Sequence, residues 1–133
     1  MTFVDCNIPM YLVGAAHPNK TVAQMLVERL VAAGERLVTD AEVMQEILHR
    51  YTAINRREAI GAAFHLLFEI VDDVFPIEKM DVQRAREIAQ GREMLSARDS
   101  LHVAIMERHQ VYSILTFDSD FDRWPRLKRV RPS

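Results

Sequence analysis

Short apolar runs alternate with helical segments along this chain, and that alternation restricts the fold more than any other feature. Thr2-Phe3-Val4, Arg36-Leu37-Val38-Thr39, Val74-Phe75-Pro76-Ile77 and Val111-Tyr112-Ser113-Ile114-Leu115 read as strands, rich in β-branched, aromatic and aliphatic residues. A last short strand is expected around Val130. Strands separated by helices need crossover connections, so the sheet is parallel and helices cover it. Pro76 cannot donate to a ladder and sends the third strand to an edge or marks its end. The expected fold class is therefore α/β. A helical bundle is disfavoured by the number of strand-like runs.

The helices carry their own punctuation. Asn7 is an expected N-cap, with Pro9 in the first turn and an end near Gly14. Val22, Met25, Leu26, Arg29, Leu30 and Ala33 share one face of a helix over residues 21–33, and Gly34 sits at its C′ position. Thr39-Asp40-Ala41-Glu42 has capping-box form and opens a helix reaching about Asn55, with Val43, Met44, Ile47, Leu48 and Tyr51 inward. Ile60, Ala63, Phe64, Leu67 and Phe68 line a helix from about Arg57 to Ile70. Val82, Ala85, Ile88 and Ala89 line one from Asp81 to about Arg92. Ser96-Ala97-Arg98-Asp99 repeats the capping-box form before a helix to about His109.

Composition narrows the classes. The length of 133 residues suits one domain over 1–133, large enough for a real core. The net charge of −2 gives no overall basic footprint for nucleic acid, although a local patch suffices. Cys6 is the only cysteine, so no intramolecular disulfide forms, which fits a reducing compartment. No apolar run reaches the roughly 20 residues of a membrane span, and no signal-peptide pattern opens the chain. A cytoplasmic location is expected, with no membrane partner.

Carboxylates gather at the predicted strand ends. Asp5 ends the first strand, and Asp118, Asp120 and Asp122 follow the fourth. Ligands of open α/β sheets sit outside the carboxyl ends of strands. Glu46 and Asp99 lie on helices that follow strands. Each acid also has an ordinary reading. Asp5 suits a turn, Glu46 an i,i+4 pair with Arg50, and Asp99 the first turn of a helix, where the dipole favours an acid. Glu42 is taken up by the capping box. Asp118 is nearest the strand end. Asp120 is a candidate for supporting the ligands or for a second metal, and Asp122 is expected in solvent. Four acids meeting at one edge suit a hard divalent cation. Asn7 and Thr116 are candidates to steady them by hydrogen bonds.

Phe3-Val4-Asp5-Cys6-Asn7, Val43-Met44-Gln45-Glu46, Ala97-Arg98-Asp99-Ser100-Leu101-His102-Val103-Ala104 and Leu115-Thr116-Phe117-Asp118-Ser119-Asp120-Phe121, in this order and spacing, resemble the PIN domain. Within it they resemble the toxin nucleases of VapBC toxin–antitoxin modules, and the tail from Trp124 to Val130 is similar to that family's ending. Cys6 departs from the usual Thr or Ser, placing a thiol where a hydroxyl would support the acids. The resemblance implies a three-layer α/β/α fold with a central parallel sheet of four to five strands. It implies a Mg²⁺- or Mn²⁺-dependent endoribonuclease acting on RNA, tRNA or rRNA, by water attack that leaves a 5′-phosphate and a 3′-hydroxyl. Asp5, Glu46, Asp99 and Asp118 would be the catalytic and metal-holding acids.

Partners follow from the same resemblance: an RNA substrate, a VapB-type antitoxin that occludes the acidic groove, and a homodimer or toxin–antitoxin hetero-oligomer. The strip Phe64, Leu67, Phe68, or the third helix near Met44 and Leu48, is the expected antitoxin contact. Arg98 and the tail cations Arg123, Arg126, Lys128, Arg129 and Arg131 are candidates for phosphate contact. Three other readings stand beside this one. Glu46-x-x-His49 and Asp99-x-x-His102 have the form of di-iron bundle motifs, but Asp5 and Asp118 sit at strand ends. A catalytically inactive, PIN-like protein-binding module would not need all four acids. An aspartyl-phosphate phosphatase would want a second Asp at position 7, where Asn7 stands.

Overall fold

The computed structural model describes residues 1–132. Five strands form one parallel sheet: β1 (Thr2–Val4), β2 (Leu37–Asp40), β3 (Asp73–Phe75), β4 (Ser113–Leu115) and β5 (Lys128–Arg129). Their order is β3-β2-β1-β4-β5. Six helices connect them: α1 (Asn7–Val13), α2 (Pro18–Ala32), α3 (Ala41–Ala53), α4 (Ile60–Ile70), α5 (Lys79–Ala89) and α6 (Ala97–Arg108). Crossovers from β1 through β2 to β3 run one way along the sheet, and the crossover from β3 to β4 runs back. With right-handed connections, α5 and α6 therefore cover the face opposite the earlier helices. The result is the expected three-layer α/β/α arrangement, with β3 at an edge and Pro76 just beyond its end.

The order reverses between β1 and β4, and that is the switch point where a crevice opens at the strands' carboxyl ends. Phe3↔Ile114 and Val4↔Leu115 set the β1–β4 register, so Asp5 and Thr116 leave adjacent strands side by side. Phe3, Val4, Leu37, Val38, Ile114 and Leu115 are buried beneath both helical layers, as a parallel sheet requires.

Local chemistry moved several boundaries. α2 begins at Pro18, earlier than expected, because His17 caps it by accepting from Asn19 N–H and Pro18 suits the first turn. Gly34 takes φ +75° at C′, as expected. The Thr39–Glu42 capping box does not form. Asp40 is the N-cap of α3, accepting from Val43 N–H at 2.9 Å, while Thr39 donates to the Val4 carbonyl across the sheet. Asn7 is the first helical residue of α1 rather than its cap. Ahead of α5, the capping box is Glu78 with Asp81. Val82 and Ala89, expected inward, are exposed, and Ala85 and Ile88 carry that face.

Candidate metal centre

Asp5 stands at the end of β1, almost fully buried at 4% exposure. Its Oδ1 accepts from Cys6 N–H at 2.8 Å. Its Oδ2 accepts from the Thr116 hydroxyl at 2.6 Å and from the Asn7 amide at 3.4 Å. Asn7 also donates to Thr116 and accepts from Phe117 N–H, so it stitches the ends of β1 and β4 together. Asn7 and Thr116, the two candidates for steadying the acids, thus both hydrogen-bond to the Asp5 carboxylate. A carboxylate offers about four lone-pair sites, so three donors leave room for one further ligand bond. Burial pushes the Asp5 carboxyl above its ordinary pKa, against the lowering effect of His102 and Thr116.

α3 brings in Glu46, 5% exposed. The Arg50 pair expected from sequence is loose, at 3.9 Å. The close partner is His102: its Nε2 lies 2.5 Å from Glu46 Oε1. The Cys6 thiol donates to Glu46 Oε2 at 3.4 Å. Burial alone would raise the Glu46 pKa; the His102 hydrogen bond and charge outweigh it and hold the carboxyl low. Burial between the acids pushes the Cys6 thiol well up, so it remains a neutral donor.

α6 presents Asp99 on its first turn, with Ser96 as the N-cap accepting from Asp99 N–H. After β4, Asp118 Oδ1 accepts from Asp120 N–H and opens a short 3₁₀ turn over Ser119–Arg123. Oxygens of Asp99, Asp118 and Asp120 come within 4.8 Å of one another, and atoms of Asp5, Glu46 and His102 form a second such group. The two groups are linked electrostatically, since the Asp99 carboxyl feels the charges of Asp5 and Glu46. Asp99 is pushed up to about 6 by burial first, then by the Asp118 charge, with Asp5 and Glu46 adding to it. Hard oxygen donors that repel one another in this way fit Mg²⁺ or Mn²⁺. Asp120 thus joins Asp99 and Asp118, while Asp122 turns away to Arg129 and Arg131.

Sequence reasoning missed Asp40 and His102. Asp40 Oδ2 lies 2.7 Å from His102 Nδ1, and the imidazole is fully buried. Burial would lower the His102 pKa, but Asp40, Glu46 and Asp5 outweigh it and raise it well above the ordinary value. The signal was a histidine three residues after Asp99 on the same helical face. His49, its partner in the di-iron reading, is exposed. The tail cations also differ from expectation. Arg123 pairs with Asp120, Arg129 and Arg131 with Asp122, and Arg126 lies over the Tyr112 ring. Arg98, held to Glu42 at 3.5 Å and to Gln45 at 3.3 Å, and Arg50 flank the acids instead.

Asp99 carries a stability prediction with a definite sign. Its folded pKa, about 6, lies above the ordinary 3.8. The ionised acid therefore opposes folding in metal-free protein. That cost is absent below the lower value, grows as pH rises toward about 6 and is complete above it. In EDTA, Asp99→Asn should raise Tm by a few degrees near pH 7.5 and lose most of that gain near pH 4.5. A pH-independent difference would remove the repulsion from the account.

A parallel sheet with acids clustered at its switch point places them where open α/β folds bind their ligands, the arrangement of an α/β enzyme site. The chain belongs to the PIN-domain family, whose model matches residues 2–127, and within it to the VapC ribonucleases. It is 55% identical over 130 residues to Ribonuclease VapC13 of Mycobacterium tuberculosis, covering 98% of this chain and 99% of that protein. VapC20 of the same organism, described as a sarcin-ricin loop cleaving toxin, shares the fold with a TM-score of 0.74 and 22% identity over 92% of this chain and 93% of its own. The VapBC-1 structure from nontypeable Haemophilus influenzae matches with a TM-score of 0.69 and 20% identity over 98% and 97% of the two chains.

Proposed function

We propose that the chain, read as one PIN domain over 1–133, is the toxin of a toxin–antitoxin pair and a Mg²⁺- or Mn²⁺-dependent endoribonuclease. The observation that carries this reading is the pair of acid groups beside the β1–β4 switch point, one with Asp5 and Glu46 and one with Asp99, Asp118 and Asp120, with the Asp99 carboxyl raised in part by the charges of Asp118, Asp5 and Glu46. Asp5, Glu46, Asp99 and Asp118, with Asp120, would hold the cation. When bound, it supplies charge neutralisation at the phosphate and a more acidic water for hydrolysis. The chain's own residues do the rest. Thr116 and Asn7 fix the Asp5 carboxylate, and Asp118 is fixed by its own turn. Arg50 and Arg98, both partly exposed, would steer phosphates toward an otherwise repulsive acidic crevice. No Ser, Cys or His nucleophile is required. Water attack that expels the 3′-oxygen, as the resemblance to this family implies, would leave a 5′-phosphate and a 3′-hydroxyl.

An antitoxin of the VapB type is the proposed partner, and the relatives' VapBC assembly supports it. Its contact is best placed on the exposed part of the apolar strip. Phe68 is 49% and Leu48 47% exposed, whereas Leu67, expected on the same surface, is core. A homodimer or hetero-oligomer and a cytoplasmic location complete the reading; among the described residues no helix is long and apolar enough to cross a membrane. The test is cleavage of total cellular RNA by purified, antitoxin-free protein with Mg²⁺, with Mn²⁺ and with EDTA. Cutting with either metal and none in EDTA is expected. Cutting that survives EDTA would overturn the metal mechanism, and no cutting by folded protein would favour the inactive binding module.

A further inference from the structure

We propose that His102 is a positioning residue for Glu46, held by Asp40, and that the Asp40–His102–Glu46 line sets the cation affinity of the acid cluster. This rests on the metal-centre reading above. All three side chains are buried, and the imidazole bridges them with both ring nitrogens in use: Nδ1 to Asp40 Oδ2 at 2.7 Å and Nε2 to Glu46 Oε1 at 2.5 Å. With no free nitrogen, His102 is a support for the acids rather than one of their number. Asp40 is itself locked, because its other oxygen caps α3 through Val43 N–H. The line therefore begins at the start of α3, crosses to α6, and returns to α3 at Glu46. Since α6 also carries Asp99 one turn before His102, the imidazole sets the position of one acid relative to the other.

The division of labour at Glu46 points the same way. Oε1 is fixed by the strong imidazole contact, and Oε2 has only the Cys6 thiol at 3.4 Å and a distant Arg50. A thiol is a weak donor, so Oε2 is the oxygen a cation can claim. Packing alone gives no reason for the arrangement. Buried ionic groups of this kind can often be replaced by apolar residues without loss of stability. Residues that orient metal ligands, by contrast, typically govern affinity by about 10- to 100-fold.

The test is Mn²⁺ binding to the full-length, EDTA-stripped protein, followed by titration calorimetry and independent of RNA cleavage. His102→Asn keeps an amide facing Asp40 and withdraws from Glu46; its Kd should weaken about 10- to 100-fold. His102→Gln, whose amide nitrogen reaches the former Nε2 position but gives up the Asp40 contact, should recover part of that loss. Adding His102→Asn to Glu46→Gln should weaken binding no further than Glu46→Gln alone, since the effect passes through Glu46. An unchanged Kd in His102→Asn, equal losses in the Asn and Gln variants, or additive losses in the double variant would each overturn the proposal. Should His102→Asn fail to fold, Asp40→Ser carries the same test: it keeps a capping oxygen for Val43 and gives up the Nδ1 contact. A weakened Kd supports the line and an unchanged one overturns it. If the wild type binds no Mn²⁺, the metal-centre reading falls and takes this inference with it; if the wild type binds and the variants match it, only this inference falls.

Discussion

Asp5→Asn is expected to lose RNA cleavage by at least about 10²-fold while remaining fully folded, and to melt in EDTA no lower than the wild type. The size follows from removing one preorganised charge at the reacting phosphate, which costs on the order of 10²–10³ in kcat. Folding survives because the amide keeps the carboxyl's shape and its oxygen still accepts from Cys6 N–H. The bonds at the other oxygen are given up: the Thr116 hydroxyl, which already accepts from Asn7 and from Asp118 N–H, and the Asn7 amide must turn aside from the new nitrogen. Burial already disfavours the charged carboxyl, so neutralising it relieves the metal-free protein. Cleavage rates, end mapping and thermal melting on the same preparation decide the matter. Residual cutting within tenfold of wild type would place the metal on the Asp99, Asp118 and Asp120 group alone. A large fall in Tm would make Asp5 a structural residue.

How much of this was legible beforehand depends on whether a residue's job is local. The strands were readable because apolar β-branched runs separated by helices admit few arrangements, and the acids at their ends follow from topology. Ser96 announces its helix because an N-cap speaks to a donor three residues on. Thr39 misled for the same reason in reverse. Its neighbour Asp40 is an equally good cap, and the choice was made by a partner distant in sequence: the Val4 carbonyl claims the Thr39 hydroxyl. His102 lay in plain view on α6, yet its partners are 62 and 56 residues away, and no spacing rule links them. The tail arginines look free in the sequence because the acids that bind them, Asp120 and Asp122, read equally well as a ligand and a solvated group.

Phe121 is the residue where core and chemistry meet, and Phe121→Ala is expected to cost about 3–5 kcal/mol. It is 1% exposed, in the middle of the 3₁₀ turn that follows Asp118, and its ring lies 6.4 Å from the His102 ring. Truncation leaves a cavity beneath the turn. That loss is a large fraction of the roughly 5–15 kcal/mol by which a native protein is held. Phe121→Leu, which keeps most of the volume, should cost about 1 kcal/mol. Urea unfolding reads both as shifts in midpoint at constant slope. The two variants also separate stability from site geometry. The turn flanks Asp118 and Asp120, and only those two of its acids face Asp99. A turn that has lost its anchor should hold them loosely, so the folded fraction of Phe121→Ala should bind Mn²⁺ more weakly than Phe121→Leu under conditions where both are folded. Equal affinity in the two would show that the Asp118 turn is held by its own backbone hydrogen bonds and by Arg129 on Asp122 rather than by the core. A loss of stability under about 1 kcal/mol for the alanine variant would mean that the turn closes the cavity by collapsing onto α6.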